Sequence, residues 1–265
     1  MGKIMAITVF KFLKTYAAQG ACVVLLTLAA GCAKEQKKEN MSFNELTSCA
    51  DKAQQKKHHD DAVVYLEEAL GRFSDNEKIH QVKMSLAELN FDNGNYQAAH
   101  ELYENFNQLY PADAQAEYAK YKSILSMYRQ TLDVHCDQTE TEETIKLCRE
   151  YLQKGVYKKF KKEIGDIQKL CENRLFNKEI YVFNFYFNKG KYDAAGHRLK
   201  TIKHKFATVL AEHEDQLLYL ECKLAQKVKN KKLIRQNLDE LLTKYPTSEF
   251  TLMAQNLTAR RPFIF

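Results

Sequence analysis

"NGNYQAAHELYENFNQLYP", Asn93–Pro111, and "KGKYDAAGHRLKTIKHKF", Lys189–Phe206, follow one pattern. Each reads Gly, any residue, Tyr, two more residues, Ala, then apolar side chains four and seven positions on. The first copy supplies Gly94, Tyr96, Ala99, Tyr103 and Phe106; the second supplies Gly190, Tyr192, Ala195, Leu199 and Ile202. A glycine can take the left-handed conformation that ends a helix. The alanine falls where two helices cross and permits close approach, and the apolar residues after it continue one helical face. Pro111 and Pro246 cannot continue a helix, so each marks a break. Weaker copies carry Ala62, Leu66 and Ala69 before "GRFSD", and Leu238, Leu241 and Pro246 in "KKLIRQNLDELLTKYPTSEF". Ala62 and Ala99 lie 37 residues apart, near the ~34 of a tetratricopeptide repeat. The expected fold is all-α, an α-α superhelix (solenoid) of about five tetratricopeptide-like helix pairs, because such pairs bury their faces only by stacking.

Between the copies, "AEYAKYKSILSMYRQT" puts Ala116, Ala119, Ser123 and Ser126 on one side and Tyr118, Tyr121, Leu125 and Tyr128 on another. That is a helix packed on two sides, the tyrosines being core or a peptide-binding ridge. "IYVFNFYF", Ile180–Phe187, looks strand-like, but its flanks make it the first helix of the repeat with Ala195. A separate Lys-rich helical run, Tyr157–Phe176, is expected before it.

The amino end adds a compartment. "LTLAAGCAKEQKKEN", Leu26–Asn40, closes an apolar run that starts at Ala21 and follows Lys3, Lys11 and Lys14. The run is short of the ~20 residues of a bilayer span, and a basic lead with small residues at its end is a secretory signal. Small residues directly before Cys32 resemble the lipobox of bacterial lipoproteins. That implies cleavage between Gly31 and Cys32 and lipidation of Cys32. The expected organisation is 1–31 signal peptide, 32–45 lipidated cysteine and flexible tether, 46–250 repeat domain, 251–265 basic and aromatic tail. Ala33 after the cysteine points to the outer membrane, on its periplasmic side.

Three prolines and nine glycines in 265 residues suit a helical chain. The net charge of +6 falls to +3 once the three leader lysines are lost, so nothing calls for nucleic acid as a partner. Five cysteines remain beyond Cys32: Cys49, Cys136, Cys148, Cys171 and Cys222. A Cys136–Cys148 bridge is one option, and small buried residues in helix packing the other. Chemistry is sparse. His58-His59-Asp60-Asp61 is better read as a helix start with Asp60 or Asp61 as N-cap than as a metal site. His135 and Cys136 have no second ligand pair, and there is no glycine-rich phosphate loop, H-E-x-x-H or G-x-S-x-G. Neither a metal nor a cofactor is expected. Lys158, Lys159, Lys161 and Lys162, broken by Phe160, form the densest basic patch. It is a solvated helix face, or a contact for an acidic partner or anionic lipid.

Three stretches go beyond the generic repeat: "QLYPADAQAEYAKYKSILSMYRQT", "DQTETEETIKLCREYLQKG" and "ENRLFNKEIYVFNFYFNKGKYDAAGHRLKTI", with "TKYPTSEF" closing the last repeat. With the lipobox, they make the chain similar to the BamD family, lipoproteins of the β-barrel assembly machinery. The resemblance runs from Leu46 to Phe250, although "KFATV" and "LQKGVYKKF" stand where the family has proline turns. It implies a non-enzymatic scaffold whose partners are a barrel-inserting outer-membrane subunit with periplasmic repeat domains, unfolded outer-membrane proteins and other assembly lipoproteins. It places Arg198 near the surface that meets the barrel subunit, and Tyr118, Tyr121, Tyr128 and Arg129 on the concave side. Two rivals stand beside it: an adaptor for pilus assembly or division-linked cell-wall synthesis, and a wall-modifying enzyme, for which no segment is left over.

Overall fold

The computed structural model describes residues 40–206, 209 and 211–259. The leader, Cys32, the start of the tether and "RRPFIF" (260–265) lie outside the described residues. The described chain is all-α: eleven helices and no strand among the described residues. The described residues fall into two compact units, divided between Leu102 and Tyr103.

The first unit holds α1 (Phe43–Gln55), α2 (His59–Arg72), α3 (Ile79–Asp92) and the start of α4 (Tyr96–Leu109). Ser42 opens α1 with a capping box: its backbone N–H donates to Glu45 Oε2 at 2.8 Å, and the Glu45 N–H donates back to Ser42 Oγ at 3.4 Å. Leu46, Ala50, Ala62, Leu66, Ala69, Val82, Leu86 and Leu89, all spaced three or four apart within their helices, close into one core. The expected capping of α2 by Asp60 or Asp61 does not occur. His58 is the N-cap residue and makes no side-chain cap. Both aspartates sit in the first turn of α2, where the helix dipole still favours them.

The second unit continues with α5 (Ala116–Gln130), α6 (Thr139–Gln153), α7 (Lys161–Asn188), α8 (Tyr192–Lys205), α9 (Glu214–Lys227), α10 (Lys231–Lys244) and α11 (Glu249–Ala259). Short connections fold most helices back on the one before, giving the helix pairs of the α-α superhelix class. The left-handed turn expected at two glycines recurs four times. Gly94 (φ 77°), Gly190 (φ 72°), Lys57 (φ 60°) and Lys229 (φ 59°) each end the first helix of a pair. The following amide then reaches five residues back: His58 to Ala53 (2.9 Å), Asn95 to Asn90 (2.8 Å), Lys191 to Tyr186 (3.0 Å) and Asn230 to Ala225 (2.9 Å). Nothing lies within 4 Å of a Cβ added at Gly190, so Gly190→Ala meets only the backbone penalty. We expect a loss of about 1 kcal/mol, read as a melting temperature lower by about 2–4 °C.

α5 is buried on both sides, as its two faces predict. Ala116, Ala119, Ser123 and Ser126 are buried, and Tyr121, Leu125 and Tyr128 pack against a core of Ile145, Cys148, Tyr151, Ile164 and Cys171. "IYVFNFYF" is helical, but the two separate runs expected around it are one 28-residue helix, α7. Asn177-Lys178-Glu179 holds no Gly or Pro. The buried series Ile164, Ile167, Cys171, Phe176, Ile180, Phe183, Phe187 runs through that stretch at helical spacing. Tyr157 lies in the turn before α7, its ring stacked 5.1 Å from that of Tyr151. Residues 251–259, expected in the tail, belong to α11, where Ala254 packs on Leu218 and Leu241.

The Cys136–Cys148 bridge does not form: all five cysteines beyond residue 40 are free thiols. Burial pushes the Cys148 and Cys222 thiols up to about 12 and Cys171 up to about 11. They are therefore unreactive small core residues.

Candidate partner-binding surface of the second unit

The longest turn within a helix pair, residues 131–138 between α5 and α6, is tied down onto α7. The Arg174 guanidinium donates to Thr131 Oγ1. Lys178 Nζ donates to the Cys136 carbonyl at 3.1 Å, and the His135 ring meets Tyr181 edge-on at 4.5 Å. Gln138 closes the turn on itself by donating to the Asp133 carbonyl at 2.8 Å.

Pinned this way, the turn walls a groove of about 620 Å³. Its floor is apolar, with Ile145, Leu175 and Phe206. Its walls carry both charges, Asp137, Glu142, Glu172 and Glu179 beside Arg149, Lys178 and Lys205. Glu172 is buried yet held by Arg149 at 3.1 Å and Gln168 at 2.9 Å, as a buried carboxylate requires. The hydroxyl and backbone N–H of Thr139 hold the Asp137 carboxyl below its ordinary range, with the Lys178 charge acting the same way. Fixed donors and acceptors over an apolar floor suit the backbone and side chains of an extended polypeptide. Among the described residues, no group of three His, Cys, Asp or Glu is placed to hold a metal.

Arg198, on α8, adjoins this groove. Its guanidinium lies 3.3 Å from Glu179, a wall residue, and 5.9 Å above the Tyr186 ring. The tyrosines of α5 are partly elsewhere. Tyr118 and Tyr121 converge on Phe160, the Tyr121 ring stacked at 4.4 Å. Tyr128 packs into the core beneath Arg174, 5.9 Å from its ring, and Arg129 is exposed. Arg198 pairs with Glu179 and Tyr186 while Tyr118 and Tyr121 meet Phe160, so the two sets of candidates are described as two surfaces.

The second surface is organised by a residue that sequence reading passed over. Glu117 Oε1 accepts from the Tyr151 hydroxyl (2.7 Å) and from the backbone N–H groups of Lys158 (2.6 Å) and Lys159 (2.5 Å). Tyr151 in turn accepts from the Phe160 N–H at 3.2 Å. Burial works against the Glu117 charge, but these donors outweigh it and hold its carboxyl below the ordinary value of 4.5. Burial and then the Glu117 bond push the Tyr151 phenol far up, so it stays a donor. No pattern in the sequence announces Glu117, because its donors come from 34 to 42 residues away. Glu172 was more accessible: a carboxylate four residues before Phe176 falls on the apolar stripe of α7.

A family described as YfiO, outer membrane lipoprotein, matches residues 39–233. The chain belongs to this family. The matched span runs from just before α1 into α10, so both units of this YfiO-family chain are included. Membership places the chain at the outer membrane. The outer membrane protein assembly factor BamD of Caulobacter vibrioides is 23% identical over 204 residues, 75% of this chain and 66% of the relative. The chain thus spans just under two thirds of that relative's length. Among solved structures, the TPR domain of P58(IPK) aligns over 82% of this chain and 55% of its own at TM-score 0.41 and 18% identity. Pseudomonas aeruginosa pilF aligns over 89% and 95% at TM-score 0.32 and 14% identity. The fold class rests on the chain's own helices.

Proposed function

We propose that this YfiO-family chain is a non-enzymatic scaffold in the assembly of outer-membrane β-barrel proteins. It is cut between Gly31 and Cys32, anchored by lipid on Cys32, and faces the periplasm. A barrel-inserting subunit with periplasmic repeat domains docks beside Arg198, other assembly lipoproteins join it, and unfolded outer-membrane segments lie in the groove walled by residues 136–139. The observation that carries this reading is family membership over nearly all the helix pairs, beside a relative named as an outer membrane protein assembly factor. The groove's fixed polar walls and apolar floor support the choice of an extended polypeptide.

The test is affinity purification of the chain from detergent-solubilised envelopes, with mass spectrometry of what accompanies it. A barrel protein bearing periplasmic repeats, at comparable abundance, is the expected result. Pilus or wall-synthesis proteins in its place would sink the reading. Arg198→Ala should then lower affinity for the barrel protein about thirtyfold or more, the ~2 kcal/mol of an interface hot spot, and its recovery with it. Because the Arg198–Glu179 pair is 38% and 16% exposed, its loss should cost under about 1 kcal/mol of stability. The melting temperature would therefore hardly move.

A further inference from the structure

The turn before α7 carries an arrangement that partner docking at the groove does not use. Lys154, Lys158, Lys159, Lys161 and Lys162 put five ammonium groups on nine residues, all exposed. Between Lys154 and Lys158 in the turn, Val156 is 77% exposed, the most of any large apolar side chain among the described residues. Among the described residues, none of the five lysines has a carboxylate at ion-pair distance. Lys154 and Lys159 rest instead over the rings of Tyr157 (4.8 Å) and Phe160 (5.1 Å). Glu117 is turned inward onto the backbone, and the acids adjoining the run in sequence, Glu150 at the end of α6 and Glu163 and Asp166 on the first turns of α7, flank it without pairing with it. The turn is also held in place, by Glu117 bonding two of its amides, Tyr157 buried on Tyr151 and Phe160 stacked on Tyr121. Presenting these side chains therefore requires little further ordering.

We propose that this lysine collar, with Val156 at its tip, rests on a bilayer surface containing anionic lipid headgroups. Charge complementarity requires an anionic partner, and the composition favours lipid over protein. All five cations are lysines, which are depleted in protein interfaces, whereas bidentate carboxylate recognition favours arginine. An exposed apolar side chain flanked in sequence by lysines suits the headgroup boundary, where it enters the apolar edge while the charges meet phosphates. Mobile headgroups can meet five spaced lysines without a matching rigid surface. Each lysine near such a surface strengthens the contact about fivefold.

This contact goes with the lipid anchorage proposed above, and the two fail separately. The full chain is mixed with phosphatidylcholine vesicles, or with vesicles containing phosphatidylglycerol, and floated; its lysines are then acetylated and mapped by mass spectrometry. Flotation with phosphatidylcholine reports the anchor alone. On phosphatidylglycerol, acetylation of the five collar lysines should slow about fivefold or more relative to Lys56 and Lys57. Salt at about 1 M, where the screening length is ~3 Å, should restore it. Lys158→Gln combined with Lys159→Gln leaves both backbone bonds to Glu117 and should weaken protection of the other three. Equal labelling on the two vesicle types overturns the collar even if the chain floats. Protection only in native envelopes, beside an acidic protein, also overturns it and assigns the patch to that protein.

Discussion

Asn177→Pro should lower the melting temperature of the second unit by about 6–12 °C or more. Asn177 is exposed and its side chain is not part of the core, so the expected effect is of the backbone. It lies near the middle of α7, Lys161–Asn188. A proline there removes one main-chain hydrogen bond and its ring meets the carbonyl four residues earlier, at about 3 kcal/mol or more. The helix is not free to bend there, because Phe176 and Ile180 on either side belong to the same buried core. If two helices met at this point, as the sequence invites one to think, proline would be well tolerated. Thermal unfolding of the variant decides between them, and a change under about 2 °C would mean that α7 is not continuous.

Glu117→Ala should cost about 2–3 kcal/mol, since it leaves the buried Tyr151 hydroxyl and two amides without their charged acceptor. Proteolysis should then cut first within the Lys-rich turn, which loses its tether. Acid tests the same carboxylate without mutation. Its folded pKa lies below the ordinary 4.5, so its contribution is complete above about pH 4.5 and is lost as pH falls through the lower folded value. Glu117→Gln should flatten that part of the acid limb in melting temperature against pH. A variant whose acid limb matches the parent's would remove Glu117 from the role assigned here.

Much of the fold was legible because it is local. Gly94 and Gly190 announced left-handed turns, and the spacing of Ala99, Tyr103 and Phe106 announced a buried face; all three side chains are fully buried. Lys57 and Lys229 take the same turn without a glycine, and there the pattern was silent because residue type no longer reports backbone angle. The break assigned before Ile180 failed for the converse reason. Similarity between repeats suggested a boundary, but no residue at Asn177–Glu179 stops a helix, and the core rewards continuation.

Sequence alone thus determined the helix pairs and their faces, and through residues 1–32 it carries the expectation of a leader and a lipidation site; the basic run, expected on a helix face, begins in the turn before α7. These depend on residue order within a turn or two of helix, or on a motif read in line. Only the tertiary structure decided that Glu117 holds the lysine turn, that Glu179 links Arg198 to a groove, and that Tyr121 stacks on Phe160. Those partners lie 19 to 42 residues apart, brought together by how helices stack. Stacking is set by the summed fit of many buried side chains, which no short stretch of sequence encodes.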